Sequence, residues 1–563
     1  MAEKEIKETQ KQHDLFNGTI KSEEEEKVIE DASENDEDIF NPKKTIRIAV
    51  SGDVILTGLE VKIIDTESFQ RLRKFKQLGT SYLVYPSANH TRFEHSLGVL
   101  QKTQEMIDYI QKNQHSDKDQ KNISLDQIRI ARLAALLHDI ANIPFGHTLE
   151  DETKVVGTYQ EDEDRIKLYL DPDKEIGKIL VKYLNSEDYK LLLNILIAEK
   201  EYEKLGENAF IADIIKNTVC ADLLDYLARD TYCCNLPLSF SDRFLKYLYL
   251  HDDNGMKRLA IRLRKDKDLH PRPALVSELI QLLEIRYFLA ERVYFHHAKN
   301  ISSAMIASAV WYAMHQEKNA LTSRKIQALG DDELISELSN SRYPISKKII
   351  EDYTKRKLYK RVYSITRDEI ESCSEDLFQY LGDTFHNNAN FRNKIEMSLS
   401  DLLNLENGDI IIYCPDPDMN LKIAKMFVNS KRSGQVERFC DTQDKLARLK
   451  VDSIIESHKK LWKIEVYVKQ GVLTSKYKED LLYQWCEFYL KQEDIQSNDK
   501  KFRQAIRSTF NDIIREQEDN AHLSKIDSFV EKEIEECYRS GDFFQITREK
   551  LKFKIDKQNN TKT

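Results

Sequence analysis

Glycine and proline are scarce in this chain, with 16 and 10 copies among 563 residues. So few turn-forming residues exclude an architecture of many short strands and favour helices. The sequence also lacks any run of about 18 apolar residues, and its amino terminus lacks the apolar core of a secretory leader. We therefore expect a soluble, cytoplasmic protein with no membrane partner. The eight cysteines (Cys220, Cys233, Cys234, Cys373, Cys414, Cys440, Cys486 and Cys537) show no CxxC or CxxH spacing. That pattern argues against a thiolate zinc site and for ordinary thiols in a reducing compartment. The net charge of −10 is unevenly spread, because Lys21–Asp38 holds ten acidic residues and two lysines. The rest of the chain is near neutral. Broad non-specific binding to DNA is disfavoured, whereas a local basic groove is not.

With 40% hydrophobic residues, the chain exceeds the roughly 250–300 residues that a single core supports. Residues 1–43 read as a disordered acidic tail. A helical unit is expected over 44–320 and an α+β region over 321–563, so the fold class is mainly α with a smaller α+β carboxy-terminal part. Thr45–Leu56, broken by Ser51-Gly52-Asp53, predicts a hairpin. Apolar spacing predicts helices over Val61–Leu78, from Arg92 onward, and over Leu125–Ile140, which is apolar on most faces. Leu83–Pro86 reads as extended and Glu150–Asp173 as a charged loop. Gly330–Lys357 reads as helical with a break at Pro344. Asp409–Tyr413 and Lys463–Val468 read as strands. Leu481–Leu490 reads as a helix, with a polar helical stretch from Lys491. No internal repeat is evident.

Four short segments stand out: Arg92-Phe93-Glu94-His95; His138-Asp139; Asn142 to His147; and Asp222 to Asp230. A carboxylate at the end of a buried helix, as at Asp139, is costly unless a cation or proton partner compensates. Imidazole and carboxylate donors without thiolate suit Mn, Fe, Ni, Mg or Zn. Adjacent helical residues diverge by about 100°, so ligands beyond His138 and Asp139 must come from elsewhere, and His95 and Asp222 are the candidates. Asp222, Tyr226 and Asp230 recur at i, i+4, i+8 and share a helix face. Any one of these histidines alone reads as a satisfied core or surface residue. The linked set carries the signal.

The segments Phe69–Val99 (FQRLRKFKQLGTSYLVYPSANHTRFEHSLGV), Leu136–His147 (LLHDIANIPFGH) and Asp222–Asp230 (DLLDYLARD) closely resemble the HD-domain deoxynucleoside triphosphate triphosphohydrolases. That family includes bacterial dGTPase-like proteins and a vertebrate enzyme joining a SAM domain to the HD domain. The resemblance runs from about Lys44 to Val310. It implies an HD phosphohydrolase domain over 44–320 that hydrolyses dNTPs to deoxynucleoside and inorganic triphosphate. It also implies a divalent metal ion held by His95, His138, Asp139 and Asp222, which activates water. Arg92 would contact phosphate, and His147 would protonate the departing O5′. Gln77 and Leu78 would touch ribose and base; Tyr226, Asp230 and Tyr294 would form the sugar pocket; Arg286 would add a phosphate contact. Lys44, Asp65, Gln70 and Arg73 match residues that read a GTP or dGTP activator at a subunit interface, which implies a homo-oligomer, either dimer or tetramer.

The chain departs from the family pattern at four places. Asn142 stands where the family has the middle histidine of His-Asp-x-x-His, and Lys174-Glu175 stands where it has a His-Glu pair. Leu223 replaces a phosphate-binding lysine and Ala290 replaces a histidine. The expected metal cage is intact but the triphosphate grip is thinner, with Lys174 able to compensate by charge. Two other readings stay open on this account. One is an HD-domain nuclease or phosphodiesterase on another nucleotide, with single-stranded nucleic acid as partner. The other is a non-catalytic nucleotide-sensing module.

Overall fold

The computed structural model describes residues 38–486, apart from 115–122, 158–162, 198–201, 265–271, 316–319, 341, 372–374, 418–425, 430–435, 443, 475–477, 480–481 and 484–485. The chain divides into two compact units, Met1–Asn41 and Pro42–Thr563. The expected tail up to residue 37, most of the expected 481–490 helix and the stretch from Lys491 lie outside the described residues.

The second unit is mainly α. It opens with an antiparallel hairpin of β1 (Pro42–Ile48) and β2 (Gly52–Thr57), in which Thr45 faces Ile55 and Ile48 faces Gly52. Thr57 then caps α1 (Gly58–Ile64) through a reciprocal box with Glu60, a motif that satisfies two orphan backbone donors. The continuous helix expected over Val61–Leu78 does not form. The Thr66 hydroxyl accepts from the Phe69 amide and starts a separate turn, α2 (Glu67–Gln70), and a 3-10 turn follows over Arg71–Lys74. A capping threonine inside an apolar period overrides the period. Leu83–Pro86 is not extended either. It continues a 3-10 turn over Gly79–Leu83, with the Val84 and Tyr85 amides both bonded to the Ser81 carbonyl.

The centre of the unit is α3 (Arg92–Gln114), packed against α4 (Leu125–Leu137). Ser124 and Gln127 box the start of α4, and seven of its residues from Ile130 to Leu137 are buried. The helix ends at Leu137, so His138 and Asp139 sit in the turn just beyond it. The expected loop over Glu150–Asp173 contains a wide turn at Thr148–Glu152 and a helix, α5 (Glu163–Leu170). Its pattern escapes a hydrophobic reading because Arg165 is buried on Glu150 and on the Ala141 and Gly157 carbonyls. Next comes α6 (Glu175–Tyr183), and, after two further helices over Ser186–Ile197 and Ala209–Lys216, α7 (Ala221–Cys233), packed on α3.

The later helices used below are α8 (Pro273–Leu289), α9 (His297–Met314), α10 (Asp331–Leu338) and α11 (Pro344–Thr354). Pro344 opens α11, where a missing amide costs nothing. Two further sheets complete the architecture. One has strand order β3 (Leu248–Asp253), β4 (Met256–Ile261), β7 (Phe427–Asn429), β8 (Val436–Arg438), with β4 and β7 parallel. The other is antiparallel, with β9 (Lys463–Val468) between β5 (Lys360–Thr366) and β6 (Ile410–Tyr413). One apolar core runs from Ile143 and Phe145 through α9 to Tyr413 and Tyr467. A second core, around Trp462 and Val466, lies under the three-stranded sheet. No helix among the described residues is long and apolar enough to cross a membrane.

Candidate metal centre

Three elements converge on one buried point. His95 comes from the first turn of α3, His138 and Asp139 from the end of α4, and Asp222 from the first turn of α7. The His95 and His138 Nε2 atoms are 3.3 Å apart. Asp222 Oδ1 is 3.1 Å from His95 Nε2 and 4.0 Å from His138 Nε2, and Asp139 comes within 3.9 Å and 3.6 Å of the same two nitrogens. Each imidazole has its other nitrogen committed. His95 Nδ1 donates to Asp225 Oδ2 at 2.9 Å, and His138 Nδ1 donates to the Ala135 carbonyl at 2.8 Å. Those bonds fix the tautomers, so two lone pairs face one another with two carboxylates beside them.

With both rings neutral, such an arrangement repels itself unless a proton or a metal cation lies within it. Without a metal, the electrostatics put that positive charge on His95. Burial disfavours the His95 imidazolium, yet Asp222 and Asp225 outweigh burial and push its pKa up to about 10. Burial lowers the pKa of His138 and keeps it neutral. Burial alone would raise Asp139, but Arg92, His138 and His95 hold it well below the usual carboxylate range. His95, His138 and Asp222 each offer a ligand atom within 4.8 Å of the others, and these imidazole and carboxylate donors, with Asp139 alongside, fit a divalent ion of the Mn, Fe, Ni, Mg or Zn type.

The surroundings place the other candidate residues. Arg92 is buried and donates to Asp139 Oδ2 at 2.7 Å. His147 is 63% exposed, and its Nδ1 lies 2.5 Å from Asp151 Oδ2. Packing around the ring opposes its charged form, but Asp151 prevails and raises its pKa. Asp230 is buried, accepting from His90 Nε2 at 2.9 Å and from the Tyr294 hydroxyl at 2.7 Å. Tyr226 and Arg286 both act electrostatically on Tyr294, and Arg286 also acts on His458. The Gln77 amide bonds to the His90 carbonyl at 2.9 Å, while its side-chain Oε1 is buried without a hydrogen-bond partner; Leu78 is buried beside it.

Lys44, Asp65, Gln70 and Arg73 form no comparable buried cluster. Lys44, Asp65 and Arg73 are exposed. Gln70 accepts from Arg73 Nε at 2.8 Å and donates to the Ile64 carbonyl at 2.7 Å, and the Arg73 guanidinium stacks on Phe93. At the departures, Glu175 caps α2 through the Glu67 and Ser68 amides, and Lys174 pairs with Asp173. Leu223 is fully buried, and the Asn142 carbonyl receives Arg71.

Sequence reasoning missed the layer behind the ligands. Asp225 and Arg229 are fully buried and doubly bonded to each other, although an i, i+4 Asp–Arg pair ordinarily reads as solvated. Only the structure sets them apart: Gly98 lies on the facing helix, where a Cβ would lie 1.9 Å from Asp225 Oδ1. Asp331, in the first turn of α10, was also missed. Its two oxygens accept from the Phe145 and Lys76 amides at 2.9 and 2.8 Å, joining the loops that carry His147 and Gln77.

The family model for the HD domain matches residues 92–230, and that for the HD associated region matches 277–480. An uncharacterized protein of Methanocaldococcus jannaschii is 31% identical over 60% of this chain and 63% of its own length. The deoxynucleoside triphosphate triphosphohydrolase SAMHD1 homolog of Dictyostelium discoideum is 30% identical over 61% of this chain and 66% of its own length. Human deoxynucleoside triphosphate triphosphohydrolase SAMHD1 is 28% identical over 47% and 44%. The chain thus spans just under two thirds of the first two. A crystal structure of a hypothetical protein from Aquifex aeolicus shares the fold, with a TM-score of 0.53 and 22% identity over 76% of this chain and 97% of that one. With His138-Asp139 at the end of a buried helix and both characteristic regions matched in order, the chain carries an HD domain followed by an HD-associated region.

Proposed function

We propose that this protein hydrolyses deoxynucleoside triphosphates to deoxynucleoside and inorganic triphosphate. The observation that carries the reading is the pair of Nε2 atoms 3.3 Å apart, both with their Nδ1 atoms spent, beside Asp139 and Asp222. His95, His138, Asp139 and Asp222 would hold a divalent ion, whose contribution when bound is to lower the pKa of water toward about 7. Arg92, fixed on Asp139, brings positive charge to where a phosphate accumulates negative charge. His147, biased toward its charged form by Asp151, supplies the proton for the leaving oxygen. Asp230, oriented by His90 and Tyr294, accepts from a sugar hydroxyl, with Tyr226 one turn earlier on α7. Gln77, Leu78 and Arg286 complete the contacts. The names of the Dictyostelium and human relatives support this substrate class.

The test is product analysis with each dNTP and Mn or Mg, with and without GTP. Deoxynucleoside plus triphosphate is expected, and only monophosphate or pyrophosphate would refute the reading. GTP or dGTP acting at Lys44, Asp65, Gln70 and Arg73 in an oligomer belongs to the same proposal, and stimulation by GTP is its readout. A second reading, an HD nuclease or phosphodiesterase, draws on Leu223, which is buried in the core and offers no charge to a triphosphate tail. Shortening of single-stranded oligonucleotides would favour it.

A further inference from the structure

The layer behind His95 reaches the surface at the tip of the β1–β2 hairpin. Asp225 Oδ2 receives His95 Nδ1 at 2.9 Å and Arg229 Nε at 2.9 Å. Asp225 Oδ1 receives Arg229 Nη2 at 2.8 Å and the Ser51 hydroxyl at 3.1 Å. Arg229 in turn donates to the Ala49 carbonyl at 3.0 Å and to the Ser51 hydroxyl at 3.3 Å. Ser51 therefore both accepts from the guanidinium and donates to the carboxylate. The Asp225 and Arg229 side chains are fully buried, and Gly98 walls off the other side of the carboxylate with no room for a side chain. Between Ala49 and Ser51, Val50 is 43% exposed at a φ of 72°. A β-branched residue is an outlier there, and such a conformation persists only where surrounding contacts fix it. The two bonds from Arg229 to the residues flanking Val50 are among those contacts, with the Ser51 amide on the Ala49 carbonyl at 2.9 Å closing the turn.

We infer that the Ala49–Ser51 turn positions the His95 imidazole through the Asp225–Arg229 pair, with Ser51 as a positioning residue for metal binding. The inference rests on His95 being a ligand. The turn sets the carboxylate, the carboxylate sets the Nδ1–H direction, and that direction aims Nε2 into the cluster. Changing a partner of a metal-bound histidine typically costs about 10–100-fold in affinity. Ser51 stands one bond further out, so the lower end applies.

The experiment is titration of the full chain with Mn²⁺ against a competing chelator, and, in a separate metal-free sample, NMR of the low-field imidazole N–H proton of His95. Ser51→Ala is expected to weaken Mn²⁺ binding about 10-fold and to broaden the His95 N–H resonance. The metal-free melting temperature should stay within a few degrees of wild type. Ser51→Thr, which keeps the hydroxyl, should restore both readouts. His138→Ala serves as the direct-ligand control and should lose binding. If Ser51→Ala binds as wild type while His138→Ala does not, the turn has no role and the inference falls alone. If His138→Ala also binds as wild type, the ligand assignment fails and the inference falls with it.

Discussion

The candidate metal ligands and the candidate activator residues are built to opposite rules. His95, His138, Asp139 and Asp222 converge from three helix ends, with His95 only 1% exposed, and both histidines are held from behind by a partner. Lys44, Asp65 and Arg73 are exposed, and Gln70 and Arg73 spend their hydrogen bonds on each other and on the backbone. The first group is preorganised and satisfied by a cation alone. The second becomes a site only when something arrives to reorganise it, whether a nucleotide or another copy of the chain. Burial combined with crowded imidazole and carboxylate donors marks the former; no such crowding marks the latter.

The sharpest way to break this contrast is Asp139→Asn, which keeps shape but removes charge. Turnover of dNTPs should fall on the order of 10³-fold or more, about 4 kcal/mol of transition-state stabilisation. Retained turnover in a steady-state assay would make the cluster irrelevant to catalysis. Next is Arg229→Met, which leaves the fully buried Asp225 without its main partner. Breaking such a pair costs about 3–5 kcal/mol, visible as a marked drop in melting temperature, and an unchanged melt would show that this layer contributes little.

The His90–Asp230 pair gives a smaller, pH-dependent effect. Burial disfavours the His90 imidazolium, but hydrogen bonds to Asp230 and Cys233 raise its pKa from 6.5 to about 9. A raised folded-state pKa stabilises fully below about pH 6.5, and the benefit drains away as pH climbs through about 9. Melting temperatures of wild type and His90→Gln should therefore converge across that window; a constant gap would count against a charged His90. The smallest effect is expected from Arg73→Ala. Exposed polar contacts contribute roughly 0–1 kcal/mol, so stability and unstimulated turnover should barely change, and only a response to GTP should be lost. A large fall in unstimulated turnover would erase the distinction between the two groups.

The same contrast explains what could be read from the sequence. The grouping of His95, His138 and Asp222 was legible because they sit in three short motifs at helix ends, where an apolar helix closing on His-Asp calls for a cation or proton partner. The mainly α class and the strands at Ile410–Tyr413 and Lys463–Val468 followed from composition and β-branched runs. The backing layer was not legible, since Asp225 and Arg229 look like a surface pair and Ser51 looks like a turn serine. Only three-dimensional closeness to Gly98 separates them from that reading. Helix continuity failed at Thr66 because local capping competes with periodicity, and Glu175, which occupies a family histidine-glutamate position, proves to be a cap for α2.

Asp331 acts as a clasp between distant parts of the chain. Its two bonds span sequence separations of 186 and 255 residues, and they end on the amides of Phe145 and Lys76, in the loops that carry His147 and Gln77. A nick in the backbone ahead of α10, or a truncation that removes it, would free both loops in one event, with the His-Asp cluster itself untouched. Damage to the later half of the molecule should thus surface first at His147 and Gln77 and only afterwards at that cluster.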